Sequence, residues 1–398
     1  MRSLNFPIFV LIVFFISACA SEPETPEQQI ARYSSYVKKD EGDYESYYKL
    51  GMLYMNQKQY DKAAESFRNV VRKKKNYLDT VANYGLAFFY LGKYDKAEIQ
   101  LKKAVALNPK DVDSISVFAT VALKKNNPRK AVSLFKMALK KDSKQPDANN
   151  GLALAYDAQG QTQKAIKIWE DFIKIDPNYI EARNNLGVAY QKVGELEKAL
   201  EQFDEILKIQ SDYLNGMVNK SVVLAKMEEY SKAISVLRGA LQIEYEVSKP
   251  HAVLGWVYEK KGEYRKAMDS LKEAVRLNPK DEKSYQTLGK VYAELKKFSL
   301  SIAAYKKVIE MNPRNKFAYF SLGKLYHVKQ DGNSAVMNSI WAEKLFRADK
   351  QTDIADKAAK MLKEYYKIYK LKPETFAAII KRKALPNSSS GPANIATR

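Results

Sequence analysis

The sequence predicts an all-α fold in which a pair of short antiparallel helices is repeated about nine times to form a solenoid. The main observation is an alanine that returns every 34 residues along the chain. The residues on this period are Ala63, Ala97, Ala131, Ala165, Ala199, Ala233, Ala267, Ser301 and Ala335. A fixed period of this length indicates that one supersecondary unit is stacked many times on copies of itself.

Two further positions keep the same period when Tyr44 is taken as position 1 of the first repeat. Position 8 is small in all nine repeats: Gly51, Gly85, Ala119, Ala153, Gly187, Ser221, Gly255, Gly289 and Gly323. Position 24 is bulky in eight repeats, and Ser339 is the exception: Phe67, Leu101, Phe135, Trp169, Phe203, Leu237, Leu271 and Tyr305. We expect the small residues to allow close approach of the two helices, while the bulky residue fills the remaining space.

The helices and their ends follow from spacing and from helix-breaking residues. Apolar residues recur at three- and four-residue steps, as in Ala63, Phe67 and Val70, which is typical of helices with one buried face. Position 15 is glycine in four repeats, as expected just past a helix C-terminus: Gly92, Gly160, Gly194 and Gly262. Position 32 is proline in four repeats, where the missing N–H ends a second helix: Pro109, Pro177, Pro279 and Pro313.

This pattern resembles the tetratricopeptide repeat family, whose signature places leucine and glycine, tyrosine, alanine, phenylalanine and proline at these offsets. The resemblance covers residues 44–349 and implies a right-handed superhelical solenoid of nine repeats. Residues 28–43 are interpreted as an N-terminal half-repeat, and residues 350–384 as capping helices, of which the clearest covers residues 353–371. Residues 385–398 are polar, and we expect them to be disordered.

The N-terminus carries a different signal. Arg2 precedes an apolar run over residues 6–15, which is typical of a secretory signal peptide, here residues 1–18. The following Ile16-Ser17-Ala18-Cys19 resembles the lipobox of bacterial lipoproteins, which implies lipidation of Cys19 and a tether over residues 19–27. The alternative is an uncleaved membrane anchor, but the apolar run is shorter than the roughly 20 residues that a spanning helix needs.

Cysteine content agrees with this interpretation, since Cys19 is the only cysteine in the 398 residues. An exported chain without a second thiol forms no intramolecular disulfide. Ala20 and Ser21 follow the cysteine without an aspartate. The resemblance therefore implies sorting to the outer membrane, facing the periplasm, although inner-membrane retention stays open.

The charge is strongly basic, with 67 Lys and Arg against 46 Asp and Glu and a formal net charge of +21. In a cytosolic protein this balance would suggest nucleic acid, but export argues against that partner. Lipopolysaccharide phosphates, anionic lipids, peptidoglycan carboxylates and acidic proteins are the partners left. Basic clusters such as Lys136, Lys140 and Lys141 are equally compatible with a solvated helix exterior.

Catalytic and metal-binding motifs are missing from the sequence. His251 and His327 are the only histidines and lie far apart, which excludes the common zinc spacings. There is also no glycine-rich phosphate loop, no G-x-S-x-G and no H-E-x-x-H. We therefore expect neither an enzyme nor a cofactor, and we interpret His251 as a packing residue.

The resemblance implies that positions 2, 5, 6, 9, 12 and 13 of each first helix line a groove that binds a protein or peptide. These offsets form one helical stripe. The residues that we predict to form the groove are Tyr48, Asp79, Asn83, Phe89, Tyr90, Asp113, Asp147, Asn150, Glu181, Asn184, Asn185, Asn219, Lys249, Trp256, Lys283, Phe317 and Phe320. Packing of the aromatic members between neighbouring repeats is the competing interpretation.

Position 2 of this stripe changes sign along the chain. It is acidic in the first five repeats and is lysine in the seventh and eighth: Glu45, Asp79, Asp113, Asp147, Glu181, Asn215, Lys249, Lys283 and Phe317. Acids in a helix's first turn are explained by the helix dipole, but lysines there are not. We therefore expect an electrically polarised groove that orients an elongated partner.

Taken with the anchor, these patterns predict a non-catalytic scaffold lipoprotein that helps to assemble or place an envelope complex. The resemblance suggests three settings: pilus or secretin biogenesis, outer-membrane protein assembly, or docking of peptidoglycan enzymes. The alternative function is direct binding of an anionic envelope polymer through the basic exterior. The sequence does not fix the oligomeric state or the partner.

Overall fold

The computed structural model describes residues 24–74, 76–77 and 79–376, and within them the chain forms helices and turns without any strand. The predicted signal peptide, Cys19 and the tail over residues 385–398 lie outside the described residues. A short helical segment begins at residue 373, after the last complete helix. The helices are α1 (Pro26–Lys39), α2 (Tyr44–Asn56), α3 (Tyr60–Lys73), α4 (Thr80–Tyr90), α5 (Tyr94–Leu107), α6 (Val112–Lys124), α7 (Pro128–Leu139), α8 (Pro146–Ala158), α9 (Thr162–Ile175), α10 (Ile180–Val193), α11 (Leu196–Ile209), α12 (Leu214–Lys226), α13 (Tyr230–Ile243), α14 (Ser248–Lys261), α15 (Tyr264–Leu277), α16 (Glu282–Glu294), α17 (Phe298–Met311), α18 (Lys316–Val328), α19 (Gly332–Ala348) and α20 (Thr352–Ile368).

The helices belong to two compact units that divide between residues 159 and 160. The first unit contains α1–α8, and the second contains α9–α20. The second helix of each repeat begins at the same repeat position in both units, namely at Tyr60, Tyr94, Pro128, Thr162, Leu196, Tyr230, Tyr264, Phe298 and Gly332. The predicted all-α fold of repeated helix pairs is therefore confirmed for the described residues.

Close helix contacts explain the small residues of the period. All nine residues at the alanine position, from Ala63 to Ala335, are 0% exposed. A Cβ added at Gly85 would lie 2.7 Å from Leu101 Cγ, and one added at Gly187 would lie 2.8 Å from Phe203 Cζ. Both distances are below normal van der Waals contact, so the bulky residue at position 24 packs directly on the backbone of position 8.

The two exceptions to the pattern have structural explanations. Ser301, which replaces the periodic alanine, is buried and donates a hydrogen bond of 2.6 Å from Oγ to the carbonyl oxygen of Gly289. Ser339, which replaces the bulky residue, donates from Oγ to the carbonyl of Ala335 at 2.7 Å. Near it, Met361 Cε of α20 would lie 3.4 Å from a Cβ at Gly323, so the added helix fills part of the missing volume.

The turn between the two helices of a repeat has the same backbone conformation in all nine repeats. Position 15 has a φ between +56° and +89° throughout, at Lys58, Gly92, Asn126, Gly160, Gly194, Glu228, Gly262, Lys296 and Gln330. Only glycine adopts this left-handed region at no steric cost, and other residues lose roughly 1 kcal/mol or more there. The tight helical hairpin thus imposes strain at the five positions that lack glycine.

The C-terminal end of the second unit is closed by α20, which packs on α19 through buried Tyr365 and Ala355. His327 stacks on Tyr365 with ring centroids 4.5 Å apart, and its Nδ1 lies 2.9 Å from the hydroxyl of Tyr369. The predicted capping helix therefore has a tyrosine-rich contact surface.

The other histidine also has a packing role. His251 is buried, its Nε2 lies 3.0 Å from the carbonyl oxygen of Tyr245, and its ring packs edge-on against that tyrosine. Tyr245 occupies position 32, which is proline in four other repeats. The contact therefore joins the start of α14 to the end of the preceding repeat.

Candidate functional site

A groove of about 760 Å³ lies in the second unit, along the first helices of the sixth, seventh and eighth repeats. Side chains of α12, α14 and α16 line it, and so does Tyr305 of α17. The structure brings together here Lys249, Trp256 and Lys283, three of the residues that the sequence singled out. These helices contact one another, α12 with α14 and α14 with α16.

Helix geometry explains how the groove is organised. Position 9 lies in the middle of each first helix, position 2 about 10.5 Å before it and position 13 about 6 Å after it along the helix axis. Position 9 is apolar in α10, α12 and α14, and we call Val188, Val222 and Trp256 the apolar strip. Val222 and Trp256 line the groove, and Val188 lies on the neighbouring helix α10. We call Lys226 and Lys260 at position 13, and Lys249 and Lys283 at position 2, the lysine rows.

The sequence-based prediction missed most of this arrangement. Besides the charged residues of position 2, it singled out aromatic and amide side chains on the groove stripe, and so it omitted Val188, Val222 and the lysines of position 13. The signal was present, because positions 9 and 13 read down the fifth, sixth and seventh repeats give three apolar residues and three lysines.

Two carboxylates line the groove, and both are engaged within the protein. Asp281 accepts hydrogen bonds from the backbone N–H of Lys283 at 3.2 Å and from Ser284 Oγ at 2.5 Å. Glu259 is buried, its Oε1 accepts a hydrogen bond from Lys290 Nζ, and its Oε2 lies 4.0 Å from Lys260 Nζ. The hydrogen bond to Glu259 raises the pKa of Lys290, because it favours the charged ammonium. Glu259 thereby fixes Lys290 at the eighth-repeat side of Trp256.

Three other lysines that line the groove, Lys226, Lys249 and Lys283, are not engaged in the same way. Lys249 Nζ donates to the amide oxygen of Asn215 at 3.3 Å, and desolvation lowers the pKa of Lys249. Within the part of the chain that the structure describes, Lys226 and Lys283 form no ion pair with any carboxylate. The groove therefore presents positive charge around an apolar strip.

The predicted amide-rich part of the groove is partly committed to contacts between repeats. Asn219 Nδ2 of α12 donates to Asn184 Oδ1 of α10 at 2.8 Å, so these two amides bridge neighbouring first helices. Asn185 is half-buried on α10, and Asn150 is half-buried on α8 in the first unit. All of these amides lie on the predicted stripe, but Asn184 and Asn219 connect two neighbouring repeats.

In the first unit, the predicted aromatic residues pack against their neighbours. The Tyr48 ring lies 5.5 Å from that of Tyr77, and burial raises the pKa of the Tyr48 hydroxyl. Tyr90 is 52% exposed and stacks on Tyr60, with centroids 4.8 Å apart, while Phe89 contacts Tyr94. Close to Tyr48, Asn83 Nδ2 lies 3.5 Å from the sulfur of Met52, and these contacts connect successive repeats.

The predicted aromatic end of the groove is also engaged in packing. Phe317 and Phe320 of α18 make edge-to-face contacts with Phe346 of α19, at centroid distances of 5.2 and 6.1 Å. Phe317 keeps 44% of its surface exposed. Neither residue lines the 760 Å³ groove, whose lining ends within the eighth repeat.

The predicted row of acids is exposed to solvent, as seen for Asp79, Asp113, Asp147 and Glu181. One detail differs from the expectation that position 2 always lies in a first turn. The helix α4 begins at Thr80, so Asp79 precedes it and its carboxylate caps no backbone N–H. Asp79 is the N-cap residue of α4, where the helix dipole also favours an acid.

The described part of the chain contains neither a metal-binding cluster nor a helix suited to span a membrane. No group of three or more His, Cys, Asp or Glu side chains there is arranged to hold a metal ion. Among the same residues, no helix is both long and apolar enough to cross a membrane.

Comparison with protein families gives matches to tetratricopeptide repeat models along the chain. The model described as a TPR repeat matches residues 156–194 and 289–330. Two models described as a tetratricopeptide repeat match residues 44–77, 80–111 and 248–281 in one case and residues 180–211 in the other. A search of curated proteins finds no match.

Solved structures of helical repeat proteins are similar in fold. A tetratricopeptide repeat protein from Parabacteroides merdae is 16% identical with a TM-score of 0.51, covering 63% of this chain and 98% of its own. Yeast Tom70 is 12% identical with a TM-score of 0.52, covering 90% and 96%. The anaphase-promoting-complex assembly Cut9–Hcn1 is 16% identical with a TM-score of 0.53, covering 76% of this chain and 60% of the other. Repeats of this kind commonly bind proteins or peptides on their extended inner surfaces.

Proposed function

The chain is a tetratricopeptide repeat protein, and on that premise we propose that it is a non-catalytic scaffold that binds a partner protein in the groove of α12, α14 and α16. The observation that carries the proposal is the groove itself, which exposes apolar and cationic side chains together. An apolar anchor such as Trp256, surrounded by charged groups, is typical of the centre of a protein interface.

The second part of the proposal is a lipid anchor. Lipidation of Cys19 would hold the scaffold at a bacterial membrane, most simply the outer membrane facing the periplasm. The seven residues from Cys19 to the start of α1 span at most about 25 Å when extended, so the helical repeats would stay close to the bilayer. From this place the scaffold would help to assemble or localise an envelope complex, in one of the three settings that the resemblance suggests.

The anchor has a direct test. Cys19→Ser should abolish incorporation of a fatty-acid analogue during metabolic labelling and should leave the precursor unprocessed. Ser21→Ala, two residues away, serves as the matched control and should be labelled like the wild type. Equal labelling of Cys19→Ser and the wild type would eliminate the lipoprotein proposal.

Charge pairing favours the groove over the exterior as the binding surface. On α9, Lys167 and Lys174 both pair with Asp171, at 3.1 and 3.0 Å, and similar pairs occupy other second helices. Lysines neutralised in this way attract an anionic partner less strongly than unpaired ones do. The polymer-binding alternative is favoured locally by exposed Lys140 and Lys141, which have no carboxylate partner among the described residues.

A mutational comparison separates the two functions. Partner protein should be recovered with the lipidated wild type after crosslinking of intact envelopes and should be lost with Trp256→Ala. Neutralisation of the exterior through Lys136→Ala, Lys140→Ala and Lys141→Ala should leave recovery unchanged. Loss of recovery, or of binding to purified lipopolysaccharide or peptidoglycan, in the exterior variant alone would support the polymer-binding function instead.

A further inference from the structure

The apolar strip is an exposed surface that runs across three neighbouring helices. Val188 is 40% exposed on α10, and Val222 and Trp256 are half-buried on α12 and α14. The helices α10 and α12 are in contact, as are α12 and α14, so the three side chains succeed one another at the spacing of the repeats. Each contact with a partner at this strip would remove apolar area from water.

The lysine rows border this strip on both sides. Lys226 and Lys260 lie on its position-13 side, and Lys249 and Lys283 lie on its position-2 side. Lys249 is partly desolvated but has only an amide oxygen as a hydrogen-bond partner in the described residues. Cations arranged in this way favour a partner that carries carboxylates on both sides of an apolar stripe.

The repeat spacing indicates the conformation of such a partner. Packed helices have axes about 8–10 Å apart, so successive members of the apolar strip are separated by about that distance. In a helix, residues i and i+7 are about 10.5 Å apart on the same face. In a β-strand, same-face residues recur about every 6.6 Å, which does not match the strip.

We propose that the groove, together with the adjoining face of α10, binds an acidic amphipathic helix of the partner protein, whose apolar residues lie on Val188, Val222 and Trp256 and whose carboxylates pair with the lysine rows. This inference rests on the proposed protein-binding function and defines the class of segment that the groove selects. Glu259 contributes to the selection, because it fixes Lys290 beside Trp256.

The probe is a synthetic 21-residue helical peptide with leucine at every seventh residue and glutamates on both sides of the leucines. Its binding to the full-length protein is measured by fluorescence anisotropy at low and high salt. One comparison peptide has the same composition with the leucines spread over all faces, and another has lysine in place of glutamate. The acidic amphipathic peptide should bind at least about tenfold more tightly than either, and more weakly at high salt.

Protein variants test the lysine rows with a matched control. Lys226→Glu with Lys283→Glu reverses two groove lysines that form no ion pair in the described chain, and it should weaken binding of the acidic peptide by about tenfold or more. Lys140→Glu with Lys272→Glu makes the same change in net charge at exposed positions outside the groove and should alter binding less than about twofold. Thermal melting verifies that both variants fold.

Three results would overturn the inference: equal binding of the lysine peptide, equal binding of the peptide with scattered leucines, or equal losses in the two double variants. The proposed function fails separately. If a photo-crosslinker at Val222 captures a partner protein in cells but the acidic peptide does not bind, the function stands and the inference falls. If the peptide binds but no partner protein is captured, the groove chemistry stands and the scaffold function falls.

Discussion

Substitution of Gly187 by alanine tests the packing that holds each repeat together. A Cβ at this position of α10 would lie 2.8, 2.9 and 3.2 Å from three carbons of the Phe203 ring, where about 3.4–4 Å is ordinary contact. Phe203 is 0% exposed, so its ring cannot turn into solvent to make room.

The magnitude follows from two opposed contributions. Alanine in place of glycine within a helix stabilises by about 1 kcal/mol, whereas overpacking a filled core costs about 1–3 kcal/mol. With a midrange overpacking cost of about 2 kcal/mol, we expect Gly187→Ala to lower the free energy of unfolding by about 1 kcal/mol.

Gly239→Ala is the matched control, since it makes the same substitution in the middle of α13. The new Cβ there would meet only Met217 Cε, at 3.3 Å, and the flexible end of a methionine can move. The gain in helix propensity should therefore dominate, and Gly239→Ala should raise the free energy of unfolding by about 0.5–1 kcal/mol.

Hydrogen exchange is the appropriate assay, because repeat arrays need not unfold in one step. Local opening free energies of the α10 and α11 amides should fall in Gly187→Ala, and those of α12 and α13 should rise slightly in Gly239→Ala. The packing argument is refuted if both substitutions stabilise, or if Gly239→Ala destabilises as much as Gly187→Ala.

Three further outcomes are expected. Ala199→Leu inserts a larger side chain at a position that is 0% exposed, so it should cost about 1–3 kcal/mol and reduce exchange protection in α10 and α11, whereas uniform protection would contradict the register. Lys296→Gly should raise the melting temperature by relieving a left-handed φ of +56°, with a gain of up to about 1 kcal/mol, and a lower melting temperature would show that the turn is unstrained. Ion pairs with Lys261 and Lys266, both at 2.7 Å, lower the pKa of Glu263 from 4.5 to about 2, so its stabilisation is present above pH 4.5 and is lost as the pH falls towards about 2. Acid unfolding of Glu263→Gln should therefore depend less on pH within that window than acid unfolding of the wild type, and identical profiles would argue against a stabilising role of these ion pairs.

The fold could be predicted from the sequence because each repeat satisfies the same steric requirement. A helix pair that packs Phe203 on the backbone of Gly187 needs a small residue at one position and a large one at the other. The exceptions required the structure. Ser301 is accommodated by its hydrogen bond to Gly289, and Ser339 by the nearby Met361 from outside the repeats, which sequence period alone does not reveal.

The candidate site was predicted less completely. Of the residues on the predicted stripe, Lys249, Trp256 and Lys283 line one groove, and their binding of a partner stays a prediction. Aromatic residues such as Tyr48 and Phe320 pack on neighbouring helices, because a large ring on this stripe can reach the adjacent repeat as easily as a ligand. Whether a side chain faces the groove or its neighbour depends on tertiary contacts, which a repeat position does not specify.

The central claim is that the groove of α12, α14 and α16 holds a partner protein. Photo-crosslinking in living cells tests it most directly, with a photoreactive amino acid replacing Val222 in the groove or Lys272 on the exposed surface of α15. We predict a discrete crosslinked protein from position 222 that is lost when Lys226→Glu and Lys283→Glu are added, and no such product from position 272. Crosslinks from position 272 alone, or equal products from both positions, would contradict the claim.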